Sequence, residues 1–388
     1  MIPVAEPSLS EKELEYVTDC LKSGWISSLG KYVPLFEQKF SQYCGVKYGI
    51  ATSNGTTALH LALVTLGIGP GDEVIVPTLT FIATANAVTY TGARPVFVDA
   101  EPVTWNLDPA KIAEKITPHT RAIIPVHLYG HPANMDAIRE IAHSYGLFVI
   151  EDAAEAHGAE YKGQKVGSLG DIACFSFSGN KIITTGEGGA LLSNNHYWVE
   201  RARLLRDHAM SRDRRYWHTE VGYNYHLTNV QAAIGVAQLE RIDEFIARKR
   251  ANARMYNSLL EKVAGLTLPP EEPWAKSVYC MYSILLEDSY GISRDQLMLR
   301  LRKAGIDSRP FFHPMHTLPP YKSHDRLPVA ESLAAKGINL PSAVKLSADE
   351  ISRVAGIVAE APQVVVARAR RPTPPCRIPG AAPDACLP

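Results

Sequence analysis

The sequence predicts an α/β fold: a mixed, mostly parallel sheet flanked by helices, with a smaller C-terminal α+β domain. Three observations predict it. Short apolar, β-branched runs such as Glu73-Val74-Ile75-Val76-Pro77 and Phe148-Val149-Ile150-Glu151-Asp152 recur in the first half of the chain. Helical stretches separate them, the pattern of a largely parallel sheet covered on both faces. After residue 173 the strands shorten and the regular alternation changes.

The elements follow in order. Residues 1–30 mix Pro, Ser and Gly with one short amphipathic helix, 11–21, and read as an arm that packs on something else. Strand 48–52 precedes helix 56–66, and strand 73–77 precedes helix 82–90. Strand 95–99 leads to helix 110–116, and strand 122–126 to helix 135–145 and strand 148–152. Strands 173–177 and 189–193 complete the sheet. A long helix, 229–257, leads into a unit built from segment 278–286, helix 294–304 and segment 351–359. The expected division is an arm (1–30), a large domain (31–240), a small domain (241–361) and a disordered Pro-rich tail (362–388). Pro372-Thr373-Pro374-Pro375 rules out helix or strand interior in that tail.

Composition bounds the function. With 388 residues and 46% hydrophobic content, the chain has ample material for a large core and a smaller one. Lys+Arg and Asp+Glu both count 40, which argues against a general nucleic-acid binder. Met1 to Pro7 shows no basic-then-apolar leader, and no apolar run approaches the roughly 20 residues of a membrane span. A cytoplasmic protein with no membrane partner is expected. The six cysteines are scattered with no Cys-x-x-Cys, so a zinc knuckle is not expected and reduced thiols are.

The most informative residue is Lys181, in Ser176-Phe177-Ser178-Gly179-Asn180-Lys181. A lone lysine in an apolar, hydroxyl- and glycine-flanked setting is a candidate Schiff-base amine. Upstream, Asp152 closes an apolar strand, where open α/β sheets place their ligands. An amine plus an acid for a pyridinium nitrogen is what pyridoxal phosphate requires. A helix-capping or metal-binding Asp is the competing explanation. Thr52-Ser53-Asn54-Gly55-Thr56-Thr57 joins a strand to a helix and forms a candidate phosphate site, or an ordinary N-cap by Ser53 or Thr56. Phe81, just past a strand end, is placed to stack on a cofactor ring or to fill the core. Gly67-Ile68-Gly69-Pro70-Gly71-Asp72 precedes a strand and reads as a turn. His313-Pro314-Met315-His316 lacks a third ligand, so no metal is expected there.

At these residues the sequence resembles the DegT/StrS family of pyridoxal-phosphate-dependent nucleotide-sugar aminotransferases, from about residue 2 to 360. The carrying motifs are Ser53-Asn54-Gly55-Thr56-Thr57-Ala58-Leu59, Glu151-Asp152-Ala153-Ala154-Glu155-Ala156-His157-Gly158, the Lys181 motif, and Gly222-Tyr223-Asn224-Tyr225-His226-Leu227-Thr228-Asn229. The resemblance implies an aspartate-aminotransferase-like (fold type I) enzyme using pyridoxal 5'-phosphate, with pyridoxamine 5'-phosphate as intermediate. It implies that Lys181 carries the cofactor as an imine and shuttles a proton, with a nearby cationic imine and partial burial favouring the neutral amine. Asp152 then pairs with the ring nitrogen, Glu155 lies near the phenolic oxygen, and Phe81 stacks on the ring. Gly55, Thr56 and Ser176 hold the phosphate, and Asn224 reaches in from a partner, so a homodimer, possibly a tetramer, is expected.

The motifs Trp25-Ile26-Ser27-Ser28, His127-Leu128-Tyr129-Gly130-His131-Pro132, Arg214-Arg215-Tyr216-Trp217-His218 and Arg309-Pro310-Phe311-Phe312-His313-Pro314-Met315-His316 resemble members that aminate GDP-4-dehydro-6-deoxy-D-mannose with L-glutamate, for O-antigen or related glycans. Trp25, Arg215, Tyr216, Arg309 and His313 are the implied substrate contacts. One departure stands out: His226-Leu227 replaces the Arg-Met that relatives usually carry. A UDP- or dTDP-linked substrate, or a non-catalytic cofactor-binding regulator, is the alternative.

Overall fold

The computed structural model describes the backbone of residues 1–369 and the side chains of residues 1–360. The chain begins α1 (Glu11–Ser23), α2 (Tyr32–Tyr43), β1 (Tyr48–Thr52), α3 (Gly55–Thr65), β2 (Glu73–Pro77), α4 (Ala83–Tyr90) and β3 (Arg94–Val98). It continues β4 (Thr120–Ile123), α5 (Met135–Tyr145), β5 (Phe148–Asp152), β6 (Glu160–Tyr161), β7 (Gln164–Lys165), β8 (Ile172–Ser176), β9 (Gly189–Ser193) and α6 (His196–Arg206). Then come α7 (Asn229–Leu239), α8 (Ile242–Leu260), β10 (Leu266–Thr267), β11 (Ala275–Lys276), β12 (Tyr282–Leu286) and α9 (Arg294–Lys303). The last are β13 (Arg309–Pro310), α10 (Pro328–Lys336), β14 (Gly337–Leu340) and α11 (Ala348–Ala369).

Seven strands form the main sheet in the order β1-β9-β8-β5-β4-β2-β3. β8, β5, β4, β2 and β3 run parallel, and β9 is antiparallel to both of its neighbours, β1 and β8. β1 therefore points the same way as the parallel set. Six strand C-termini share one edge, where such sheets bind ligands. The strands are buried along nearly their whole length, consistent with helices on both faces. A second, four-stranded antiparallel sheet, β10-β12-β14-β13, has its own core with α8, α9 and α11, around Tyr256, Tyr282, Ile338 and Val354.

The arm packs on this chain itself. α1 is fixed by a capping box between Ser10 and Glu13 and by left-handed Gly24, and it lies along α7. Ile2 pairs with Ile306, and the Val4 carbonyl accepts from the Ser342 N–H, so the first residues join the small sheet's side.

Several expectations are corrected. Residues 110–116 form two 3-10 turns, Pro109–Lys111 and Ala113–Lys115, because Pro109 and an Asp108 cap start a turn that no apolar face extends. The single helix expected at 229–257 is two, broken at Glu240-Arg241: α7 packs in the main core, and α8 runs from that core (Ile242, Phe245, Ile246) into the second one (Ala253, Tyr256, Leu260). α11 continues to Ala369, past the expected start of the tail at 362; the remainder of that tail, with Cys376 and Cys386, lies outside the described residues. The other four cysteines are buried and free. Gly67 to Asp72 is a turn, with Gly67 and Gly71 at positive φ and the Asp72 carboxylate accepting the Gly69 N–H. Among the described residues no helix is long and apolar enough to cross a membrane.

Candidate active site

Register builds the anion cradle. Gly189 of β9 pairs with Thr52 on one side and Ser176 on the other, so the ends of β1 and β8 lie in line. The start of α3 then meets Ser176. A Cβ on Gly55 would sit 2.7 Å from Ser176 Cβ, and one on Gly189 would sit 2.3 Å from the Asn54 carbonyl. Glycine is required at both for this approach. The helix cap is neither Ser53 nor Thr56. Asn54 is the cap, its Oδ1 accepting the Thr57 N–H at 2.9 Å. The N–H groups of Gly55 and Thr56 have no intrahelical acceptor, and the Thr56 hydroxyl has no partner among the described residues. With Ser176 beside them, these donors suit a phosphate at a helix N-terminus.

The second part is a buried acid. Asp152 is 5% exposed at the end of β5. Its Oδ2 accepts from the Thr84 hydroxyl at 2.7 Å, and its Oδ1 from the Ala154 N–H at 3.2 Å. Burial raises its pKa; the Thr84 and Ala154 hydrogen bonds and the Lys181 charge pull against that, and the net direction is up. A cation arriving at this carboxylate favours the anion, which is what a protonated ring nitrogen supplies. Thr84, on α4, was not legible as a partner, because its bond to Asp152 spans 68 positions.

The third part is the amine. Lys181 Nζ lies 3.5 Å from Glu155 Oε1, both side chains nearly buried. Burial alone lowers the lysine pKa, as the sequence led one to expect. Glu155, Cys280 and Asp152 act in the opposite direction and outweigh it, so the net shift is upward and the ammonium is favoured. Burial acts as expected, and this nearby carboxylate outweighs it. Glu155 is fixed on its other oxygen by the Tyr129 N–H at 2.9 Å. Burial and the Lys181 charge push His157 down to about 3, and neither of its ring nitrogens has a hydrogen-bond partner among the described residues.

Phe81 is 58% exposed rather than in the core. Its ring lies 5.8 Å from that of Phe312, which in turn stacks 5.6 Å from Tyr129. An aromatic wall thus runs from Phe81 to the residue that holds Glu155. Gly55, Thr56, Ser176, Asp152, Glu155 and Lys181 gather at the sheet edge. Trp25, Arg215, Tyr216, Asn224, Arg309 and His313 are exposed, and none bonds to the Lys181 cluster. Trp25 lines a cleft of about 450 Å³ with Leu29, Lys31 and Asn229, and its carbonyl accepts from Asn229 Nδ2 at 2.7 Å. Arg215 lies over the Tyr216 ring on an exposed loop. The Ser53 N–H donates to the Tyr225 carbonyl, which places the neighbour of Asn224 beside the cradle. His316 is buried, 2.8 Å from the Thr78 hydroxyl and 3.1 Å from Glu331. At the departure from Arg-Met, His226 pairs with Asp207 at 3.1 Å and Leu227 is buried in the main core.

Amine, ring-nitrogen acid and phosphate cradle together fit pyridoxal phosphate. Residues 7–359 match the DegT/DnrJ/EryC1/StrS aminotransferase family. The chain belongs to that family and is a pyridoxal-phosphate-dependent enzyme of the sugar-aminotransferase kind. It is 51% identical over 368 residues to the GDP-perosamine synthase of Caulobacter vibrioides, covering 94% of this chain and 98% of that protein. It is 48% identical over 351 residues to the GDP-perosamine synthase of Escherichia coli O157:H7, covering 90% and 95%. Among solved structures, S. venezuelae DesV in complex with a ketimine intermediate matches with a TM-score of 0.86 at 39% identity, over 91% of this chain and 95% of that one. The fold is that of the fold type I aminotransferases.

Proposed function

We propose that the chain transfers an amino group from L-glutamate to C4 of GDP-4-dehydro-6-deoxy-D-mannose, yielding 2-oxoglutarate and GDP-perosamine. The observation that carries the reaction class is the buried Lys181 at the strand edge that also holds Asp152 and the α3 cradle. The choice of sugar nucleotide rests on the likeness, near half identity and nearly full length, to two GDP-perosamine synthases.

Bound pyridoxal phosphate supplies an electron-withdrawing ring conjugated to the carbon that loses its proton. Gly55, Thr56 and Ser176 would hold its phosphate, and Asp152 would keep the ring nitrogen protonated. Glu155 would lie near its phenolic oxygen and Phe81 would stack on its ring. Lys181 Nζ takes the proton from Cα of glutamate and, in the second half, delivers one to C4 of the sugar. Trp25, Arg215, Tyr216, Arg309 and His313 bind the sugar nucleotide, with charge-assisted bonds from the arginines to the diphosphate.

A homodimer or a tetramer completes the site through Asn224 of a second copy; exposed Leu9, Leu14, Leu21, Ile26 and Leu29 on and beside α1 give an apolar surface that such pairing would cover. The functional division places the arm at 1–30, the cofactor domain at 31–240 and a small domain at 241–361; the separate core around β12 and β14 supports it. The test supplies GDP-, UDP- and dTDP-linked 4-keto-6-deoxy sugars with L-glutamate and follows 2-oxoglutarate. Sustained release is expected with the GDP-sugar. Release only with a UDP- or dTDP-sugar overturns the substrate, and no release with any of them overturns the reaction.

A further inference from the structure

Lys181 needs a defined charge state whenever its nitrogen is free. The groups facing it come from three places. Asp152, at the end of β5, is already engaged by Thr84 and Ala154. Cys280, before β12, is pushed up to about 11 by burial and by Glu155, so its thiol stays neutral at physiological pH. His157, after β5, is neutral as well. Lys249 of α8 donates to the Cys280 carbonyl at 3.0 Å. That leaves Glu155, the one carboxylate at ion-pair distance from Nζ among the described residues.

Glu155 is held there by costly local geometry. Tyr129 adopts φ 53, uncommon for a residue with a side chain, and this turn aims its N–H at Glu155 Oε2. Gly130 follows at φ 96, where a Cβ would meet Val278, the Cys280 nitrogen and the Glu155 carbonyl at 2.8, 3.0 and 3.2 Å. Oε2 is thereby occupied and Oε1 is left to face the lysine.

We propose that Glu155 is the positioning residue for the proton of Lys181: its Oε1 pairs with the ammonium each time Nζ is free and so strengthens Nζ as a proton acceptor. This rests on the role given to Lys181 above. In the step concerned, a C–H bond at Cα of the donor breaks and an N–H bond forms at Nζ. The electron pair of the broken bond passes into the conjugated system attached to Cα. Glu155 remains a carboxylate throughout and takes no proton; it stabilises the charge that Nζ acquires.

The experiment uses full-length protein stripped of cofactor. Pyridoxal phosphate is added across the neutral-to-alkaline range, and the initial rate of imine formation at Lys181 is read by absorbance, with [ε-13C]lysine NMR giving the same midpoint directly. Glu155→Gln is expected to move the midpoint to lower pH by about 1–3 units, the range an opposite charge at this distance produces. Glu155→Asp, which keeps the charge, is expected to stay nearer the wild type. In the wild type, which needs no variant to fold, the NMR midpoint is expected at or above the ordinary lysine value of 10.5. A wild-type midpoint well below it, or an unchanged midpoint in Glu155→Gln with normal imine formation, overturns the role of Glu155 alone. No imine at Lys181 in the wild type overturns the reading of Lys181 itself.

Discussion

Among the described residues Lys181 and Lys249 are largely shielded from solvent, and their surroundings give them opposite characters. Lys181 stands 3.5 Å from a carboxylate, and its pKa is raised despite burial. Lys249 has no carboxylate beside it among the described residues. Its ammonium donates to the carbonyls of Cys280 and Ser342, at 3.0 and 2.6 Å, and burial lowers its pKa. Lys249 ties α8 to the approaches of β12 and α11 and has the geometry of a clamp. Among the described residues Lys181 has one ionic partner and no carbonyl bond, which leaves its nitrogen free for chemistry.

The neighbouring acids Glu151 and Asp152 repeat the contrast. Glu151 accepts N–H bonds from Gly167, Leu169 and Gly170 at 2.9, 2.8 and 2.7 Å, and lies 3.1 Å from His127 Nε2. The Ala133 N–H donates to His127 Nδ1, which leaves Nε2 as the donor to Glu151. Asp152 has two donors and a raised pKa. A buried anion with every oxygen satisfied is structural; one left short of donors has room for a cationic ligand.

Substitutions sharpen these pairs. The largest effect is expected for Lys181→Ala: complete loss of glutamate-dependent 2-oxoglutarate formation, with the fold retained by circular dichroism. Substantial turnover without added amine would break the contrast between the lysines. Glu151→Gln is expected to destabilise by about 3–5 kcal/mol, because an amide cannot accept from all four donors. Asp152→Asn is expected to lose about 10²–10³ in turnover, as removal of a preorganised charge partner does. It should also raise the melting temperature of cofactor-free protein at neutral pH, since a buried carboxylate with raised pKa costs stability once ionised. A lower melting temperature would place Asp152 with the structural acids.

The smallest effect belongs to Lys249→Met, about 1–3 kcal/mol for two carbonyls left unpaired, with turnover per folded molecule preserved. Its pH dependence carries the sign. A lysine with a depressed folded pKa binds fewer protons folded than unfolded, so stability rises with pH between that depressed value and 10.5. Lys249→Met should flatten that rise in thermal melts. Lys181 contributes in the other direction: its stabilisation is present below 10.5 and is lost as pH climbs through its raised value.

The sheet was legible because its pattern is local. β1, β2, β5 and β9 fall at the expected bounds, as does α5, each a short apolar or amphipathic run between turn residues. α2 was not read, with Pro34 in its first turn obscuring the periodicity, and α6 and α10 were missed as well. β10, β11 and β13 are two residues long and exist only through distant partners. The site divides likewise. Gly55, Asp152, Ser176 and Lys181 lie in contiguous motifs. The hydrogen bonds from Thr84 to Asp152 and from Tyr129 to Glu155, and the approach of Glu155 to Lys181, join distant segments or depend on a strained turn that no spacing records.

The most direct measurement is borohydride reduction of the holoenzyme followed by peptide mapping. The account predicts a single pyridoxyl mass increment on Lys181, absent from Lys249. An increment on any other lysine, or none, would contradict it.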